Sequence, residues 1–154
     1  MIPAASSSTL RRMELNTDME TERMAAEAVD IAKSMEKPLD YSEGSIPVVE
    51  DILRTISEYI ADLSEEAQHL TAQRFGCYLL TVGLRTYGGR TLWSEERGQP
   101  VLVVGEPECR IAVMTWDNVL ARVRGDSASA IPFFWAGFAE RAKRREPGSD
   151  VLVS

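Results

Sequence analysis

The chain is poor in the residues that most often carry chemistry, with one histidine and two cysteines among 154 residues. A secreted domain held by disulfides would be richer in cysteine, so we expect Cys77 and Cys109 to be reduced. No apolar run approaches the roughly 20 residues needed to span a bilayer. The first residues also lack the apolar segment of a secretory signal. These absences predict a cytoplasmic protein without a membrane partner.

Motifs for nucleotides, metals and nucleophilic catalysis are absent as well. The glycines of residues 83–89 match neither G-x-G-x-x-G nor G-x-x-x-x-G-K-[ST]. There is no H-E-x-x-H, no G-x-S-x-G and no C-x-x-C. A net charge of −7 also disfavours nucleic acid, because phosphate contacts need clustered cations. We therefore predict no cofactor, no bound metal and no nucleic-acid partner.

Charge is distributed unevenly along the chain. Residues 1–70 hold 15 acidic and 6 basic side chains, a balance of −9, whereas residues 71–154 hold 9 and 11, a balance of +2. The acidic half suits a basic partner, as in inhibitor or immunity proteins, although acids also serve solubility. A cationic cluster at residues 141–145 is typical of the last turn of a helix, with an anion or nucleic-acid patch as the alternative.

Composition and length favour one domain, since 44% of the residues are apolar and a second core would be undersized. The polar, serine-rich residues 1–16 are predicted to form a mobile tail. Residues 17–146 form the single α+β domain, and residues 147–154 a C-terminal tail. Within that tail, the apolar segment 151–153 either pairs with a sheet edge or stays free.

Hydrophobic spacing predicts helices first and strands later. The N-terminal helices pack on a small three-stranded antiparallel sheet, and two C-terminal helices follow. Gly76 and Gly83 share a helical face, which indicates a close approach to the second helix or to the sheet. The predicted helices begin at Asp18, near Pro47, at Asp62 or Ser64, at Thr115 and near Ile131; the strands cover 90–93, 100–104 and 110–114.

Three polar side chains fall on one face of the third predicted helix: His69, Gln73 and Cys77. A histidine and a cysteine suggest a nucleophile with its base, or two metal ligands. Eight residues of helix rise about 12 Å, however, which is too far for direct contact. The alternative is a surface histidine and a core cysteine. A hydrolase-like or metal-dependent enzyme using this pair, with Tyr78, Asp40 or Glu66, is therefore the second hypothesis.

Aromatic side chains are densest towards the C-terminus, where they either fill the core or form a partner or dimer surface. Phe133 and Trp135 point away from the shared face of their helix, so one of them is expected to be exposed. A third hypothesis is a small-ligand pocket beneath Tyr78, Trp93 and Trp116. The aromatic group comprises Trp116, Phe133, Phe134, Trp135 and Phe138.

The order of short motifs resembles bacterial uncharacterised proteins of the DUF3806 type. The motifs are Leu39-Asp40-Tyr41-Ser42, Gly76-Cys77-Tyr78 and the stretch from Tyr87-Gly88-Gly89 to Trp93. The resemblance covers residues 38–143 and implies an α+β fold without an assigned activity. It also departs from the family pattern, because Leu80-Thr81 stands where the family has Gly-Glu.

Taken together, these features favour a small non-enzymatic protein that binds another protein or itself. Asp40 lies in a turn, where its carboxylate is expected to cap local backbone amides. The candidate binding residues are Tyr78, Trp93, Trp116, Trp135, Asp40 and His69.

Overall fold

The computed structural model describes residues 7–154, with side chains from residue 12 onward except at residue 15. These residues form an α+β fold, as predicted. Residues 1–6 of the predicted tail lie outside the described residues. The helices are α1 (Ser7–Ser34), α2 (Ile46–Ser57), α3 (Glu65–Tyr87), α4 (Trp116–Val123) and α5 (Ile131–Arg144); the strands are β1 (Arg90–Ser94), β2 (Gln99–Val104), β3 (Arg110–Val113) and β4 (Asp150–Val153).

Helix α1 begins at Ser7, so the predicted start at Asp18 was too late and residues 7–16 are helical. Residues 7–16 have low hydrophobicity because this part of the helix is rich in polar residues. Its second half buries a row of alanines, and the helix packs mainly on α3. It ends before Pro38, where Glu36 adopts a φ of 59°. The buried alanines are Ala25, Ala28 and Ala32.

Helix α3 is the central element, and the serine at its start caps it as predicted. The Ser64 hydroxyl accepts from the backbone N–H of Ala67 at 3.1 Å. The two glycines of α3 mark close approaches, but only Gly83 meets the sheet. A Cβ at Gly83 would lie 2.7 Å from Leu102 on β2. A Cβ at Gly76 would lie 2.6 Å from Trp116 at the start of α4 and so not against α2.

The sheet has four strands in the order β1-β2-β3-β4, so the predicted three-stranded antiparallel sheet was incomplete. The first three strands form the expected antiparallel meander, and β4 joins β3 in parallel. Val151 and Val153 of β4 pack against the core, and their burial holds the strand to the sheet. The segment 151–153, given above as either paired or free, is therefore paired.

The two C-terminal helices close the fold as predicted. Helix α5 ends with Arg145 in the left-handed conformation, and its last turn holds the basic cluster. The cations thus lie where the helix dipole favours them. Among the described residues, no helix combines the length and the apolar character needed to cross a membrane.

Candidate functional site

A recess lined by two tryptophans lies where α1, α3, the β1–β2 pair and the start of α4 meet, and we call it the tryptophan groove. It has a volume of about 490 Å³ and is half open to solvent. Apolar side chains make most of its wall, and polar side chains of α1 stand at its rim. The lining residues are Asn16, Thr17, Glu20, Thr21, Arg23, Met24, Leu70, Gln73, Cys77, Trp93, Pro100 and Trp116.

Two of the predicted binding residues come together in this groove. Trp93 stands on β1 opposite Pro100, and Trp116 is the first residue of α4. Their ring centroids lie 6.3 Å apart with planes at 75°, an edge-to-face arrangement. Trp93 is 44% exposed. An indole surface on this wall is therefore available to a bound molecule.

The start of α4 is held by a buried glutamine. The Gln99 side-chain carbonyl accepts from the backbone N–H of Trp116 at 3.2 Å, and its amide donates to Asp117 at 3.4 Å. The Thr115 hydroxyl donates to the carbonyl of Gly76 at 2.7 Å. These bonds fix the backbone of α4 against α3, and so they fix the position of the Trp116 ring.

One polar atom beside the groove has no partner. The Trp116 indole nitrogen Nε1 is buried and forms no hydrogen bond with any described residue. It approaches the Cys77 sulfur without normal hydrogen-bond geometry. An indole N–H is only a donor, and a buried donor without an acceptor costs about 1–3 kcal/mol. The nitrogen packs against α3, where a Cβ at Gly76 would lie 3.3 Å from it, so Trp116 offers the groove its ring and not its N–H.

The thiol in the groove is chemically quiet. Burial raises the pKa of Cys77 to about 11, against the smaller opposing effects of Trp116 and Thr21. The thiol is therefore neutral near pH 7, and a neutral thiol is a weak nucleophile and a poor metal ligand. Cys77 contributes apolar surface to the groove.

The rim of the groove is polar and tied to α3 by ion pairs. Arg23 on α1 contacts Glu20 and Glu27, each at 2.8 Å. Glu27 also accepts from Arg74 on α3 at 3.0 Å. The Arg23 contacts are exposed and contribute little free energy, but the chain of charges orients the polar face of α1 beside the opening.

Tyr78 and Asp40 lie outside the groove, around the turn that precedes α2. The Tyr78 hydroxyl accepts from the backbone N–H of Tyr41 at 2.9 Å and lies 2.6 Å from the Ser45 hydroxyl. Asp40 accepts from the N–H of Ser42 at 3.0 Å, which confirms its predicted capping role. This turn is therefore a structural junction between α1, α2 and α3.

Trp135 belongs to the same junction. Its indole N–H donates to Glu43 at 2.9 Å, and the Tyr87 hydroxyl donates to the same carboxylate oxygen at 2.6 Å. Burial alone would raise the pKa of Glu43, but these two hydrogen bonds outweigh it and lower the pKa. Trp135 is 5% exposed, whereas Phe133 is 80% exposed, so Phe133 is the exposed member of that pair.

The structure does not assemble His69 and Cys77 into a pair. Both lie on α3, but His69 is half-exposed and faces Glu65 at 4.0 Å, whereas Cys77 is buried. In the part of the chain that the structure describes, no three potential metal ligands are grouped. The described residues therefore add no assembled metal centre and no His69–Cys77 pair to the enzyme hypothesis.

Sequence reasoning missed three polar residues that position these surfaces: the buried Gln99 and the partly buried Glu43 and Glu50. Glu50 receives Arg122 at 2.7 Å and the backbone N–H of Ile131 at 2.9 Å, which ties α2 to α4 and α5. Each was one charged or polar residue among many in the sequence. Of the three, only Gln99 has a position that could have drawn attention, because it directly precedes the apolar strand predicted at residues 100–104.

No protein-family model, no curated protein and no solved structure matches this chain. The resemblance to the DUF3806 type stays a prediction.

Proposed function

We propose that the protein is a non-enzymatic binding protein whose tryptophan groove takes a small planar aromatic molecule. The observation that supports this most is the 44% exposed ring of Trp93 on a wall whose accessible surface is mostly apolar. Ligand pockets combine apolar walls with a few placed polar groups, usually in volumes of about 300–1,000 Å³. The tryptophan groove has both properties.

The aromatic character of the ligand follows from the walls. Trp93 offers a half-exposed ring, and Trp116 stands edge-on to it. A planar ring stacked on Trp93 would bury apolar surface on both sides at little cost in conformational entropy. The neutral Cys77 thiol accommodates such a ring without reacting.

A binding function suits this chain better than an enzymatic one. The groove holds one thiol whose pKa is raised, and its carboxylate, Glu20, is paired with Arg23. A general acid or base needs a pKa near the working pH and a proton within reach. The protein-partner hypothesis for the acidic half also loses part of its basis, because Glu20, Glu27 and Asp51 form ion pairs within the chain.

Nuclear magnetic resonance of the indole N–H groups tests this proposal directly. The three tryptophans give three indole resonances, and benzamide and acetophenone serve as planar aromatic probes. We expect the Trp93 and Trp116 resonances to shift, because a ring stacked on Trp93 places its ring current beside both indoles. Trp135 should not respond, since its N–H is bonded to Glu43.

A matched pair of variants separates groove binding from loose surface binding. Trp93→Ala removes the exposed wall and should abolish the Trp116 response. Tyr59→Ala removes a more exposed aromatic, two residues after α2, and should leave the response intact. Probes that leave all three indole resonances unmoved at millimolar concentration would defeat the proposal.

A further inference from the structure

We infer that two copies of this chain associate through the outer edge of β4 and join their sheets into one. Strand β4 is the last strand of the sheet and pairs with β3 on one side. Among residues 7–154, no strand pairs with its other side. An edge of this kind presents a row of unpaired N–H and C=O groups.

The register with β3 tells which backbone groups point outward. The N–H of Met114 donates to the carbonyl of Val153 at 2.9 Å, so residue 153 faces β3. Successive residues of a strand direct their backbone groups to opposite sides. The N–H and C=O groups of Asp150, Leu152 and Ser154 therefore point away from the sheet.

This outward set is complementary to itself. It is symmetric about Leu152, so antiparallel pairing with a second copy places Leu152 opposite Leu152 and Asp150 opposite Ser154. That is the arrangement a two-fold axis requires. Each such pair exchanges two backbone hydrogen bonds, which gives about six across the axis. The two Asp150 carboxylates lie at opposite ends of the joint.

Apolar side chains beside the β4 edge also favour binding of a second copy of the chain. Leu152 is 49% exposed on the outer face of the sheet, and Phe133 on α5 is 80% exposed. A crevice of about 510 Å³ runs between α5 and the end of β4, with Phe133, Gly137 and Val153 in its wall. A second copy seated at β4 would cover Leu152 with its own Leu152 on the outer face, and would bring its own α5 towards the crevice on the other face.

The edge has two of the features that keep strands apart, since β4 is four residues long and begins with Asp150, but it lacks the others. Residues 150–154 contain no lysine and no proline, and Asp150 is their one charged residue. The charge of α5 permits the association, because residues 131–139 carry no charge and the cations lie at residues 141–145. A two-fold axis directs the two α5 helices in opposite directions, which keeps the two cationic ends apart.

Sedimentation velocity of the full chain tests this inference over about a hundred-fold range of protein concentration. A small strand-and-helix contact is expected to be weak, so the dimer fraction should rise with concentration. Leu152→Lys places two ammonium groups across the axis and should weaken association at least ten-fold. The matched control is Leu92→Lys, on the same sheet face but on β1 at the opposite edge, and it should leave association unchanged.

Amide exchange of the unaltered protein gives a second readout that needs no variant. The outward N–H of Leu152 should become protected as the concentration rises, while the N–H of Val153, directed at β3, stays protected throughout. A chain that remains monomeric at the highest concentration overturns the inference. So does a dimer that Leu152→Lys leaves intact. Neither result bears on the tryptophan groove.

Discussion

Replacing Arg122 by methionine should destabilise the fold more than most single substitutions. Arg122 on α4 contacts Glu50 on α2 through Nε at 2.8 Å and Nη2 at 2.7 Å. The two side chains are 10% and 16% exposed, so water solvates the pair poorly. Methionine keeps the volume of the stem and removes the charge, so the perturbation isolates the loss of the ionic partner.

The magnitude follows from the position of Glu50 after the change. Its carboxylate keeps one hydrogen bond from the N–H of Ile131, at 2.9 Å, and loses the guanidinium. Breaking a buried ion pair by removing one partner costs about 3–5 kcal/mol, because the other charge is left without compensation. In a chain of this size that corresponds to a fall in Tm of roughly 6–20 °C.

Urea denaturation followed by circular dichroism measures the change in the free energy of unfolding. The double variant Glu50→Gln with Arg122→Met should recover part of the loss, because the remaining amide is neutral and its oxygen still accepts from Ile131. Arg124→Met changes an exposed arginine at the C-cap of α4, and as the matched control it should cost well under 1 kcal/mol. An Arg122→Met variant within 1 kcal/mol of the unaltered chain would refute the reasoning.

Three other perturbations probe separate parts of the molecule. Gly83→Ala should lower stability by about 1–3 kcal/mol in urea denaturation despite better helix propensity, because the new Cβ lies 2.7 Å from Leu102 in the core; a more stable variant would contradict this. Because folding raises the pKa of Cys77 from 9.0 to about 11, its neutral thiol favours the folded state below pH 9, and this contribution is lost between pH 9 and 11. The free energy of unfolding should therefore fall less steeply between pH 9 and 11 for Cys77→Ala than for the unaltered chain. Parallel plots of that free energy against pH would contradict this. Tyr87→Phe removes one of two donors to Glu43 and should cost about 1 kcal/mol in the same assay, whereas a gain in stability would contradict that role.

Periodicity in the sequence predicts most of the elements because each follows a local rule. The apolar stripe of α2, the Ser64 cap of α3 and the turns between β1, β2 and β3 are all short-range signals. The start of α1 escaped this reasoning, since its first half is polar on several faces. The pairing of β4 was left open for another reason, because it depends on the edge of β3, which is distant in the sequence.

The candidate site was predictable in its residue types and not in their grouping. Trp93 and Trp116 were proposed to share a pocket, and they line the same groove. Tyr78 was proposed beside them, yet it lies at the junction with Tyr41 and Ser45. Adjacent residues on a helix point about 100° apart, so Cys77 faces the groove while Tyr78 does not. Only the packing around α3 decides which of the two faces a recess.

The alanine row on α1 also bears on how the tryptophan groove is entered. Ala25, Ala28 and Ala32 are buried completely, whereas the preceding turns carry Asn16 and Glu20 on the groove wall. Small buried side chains anchor the later turns, and the earlier turns rely on exposed polar contacts. We expect amide protons of residues 12–20 to exchange with deuterium well before those of residues 25–32. The N-terminal turns of α1 beside the groove would thus move while the rest of the helix stays fixed on α3. A molecule bound in the groove would slow the amide exchange of those turns.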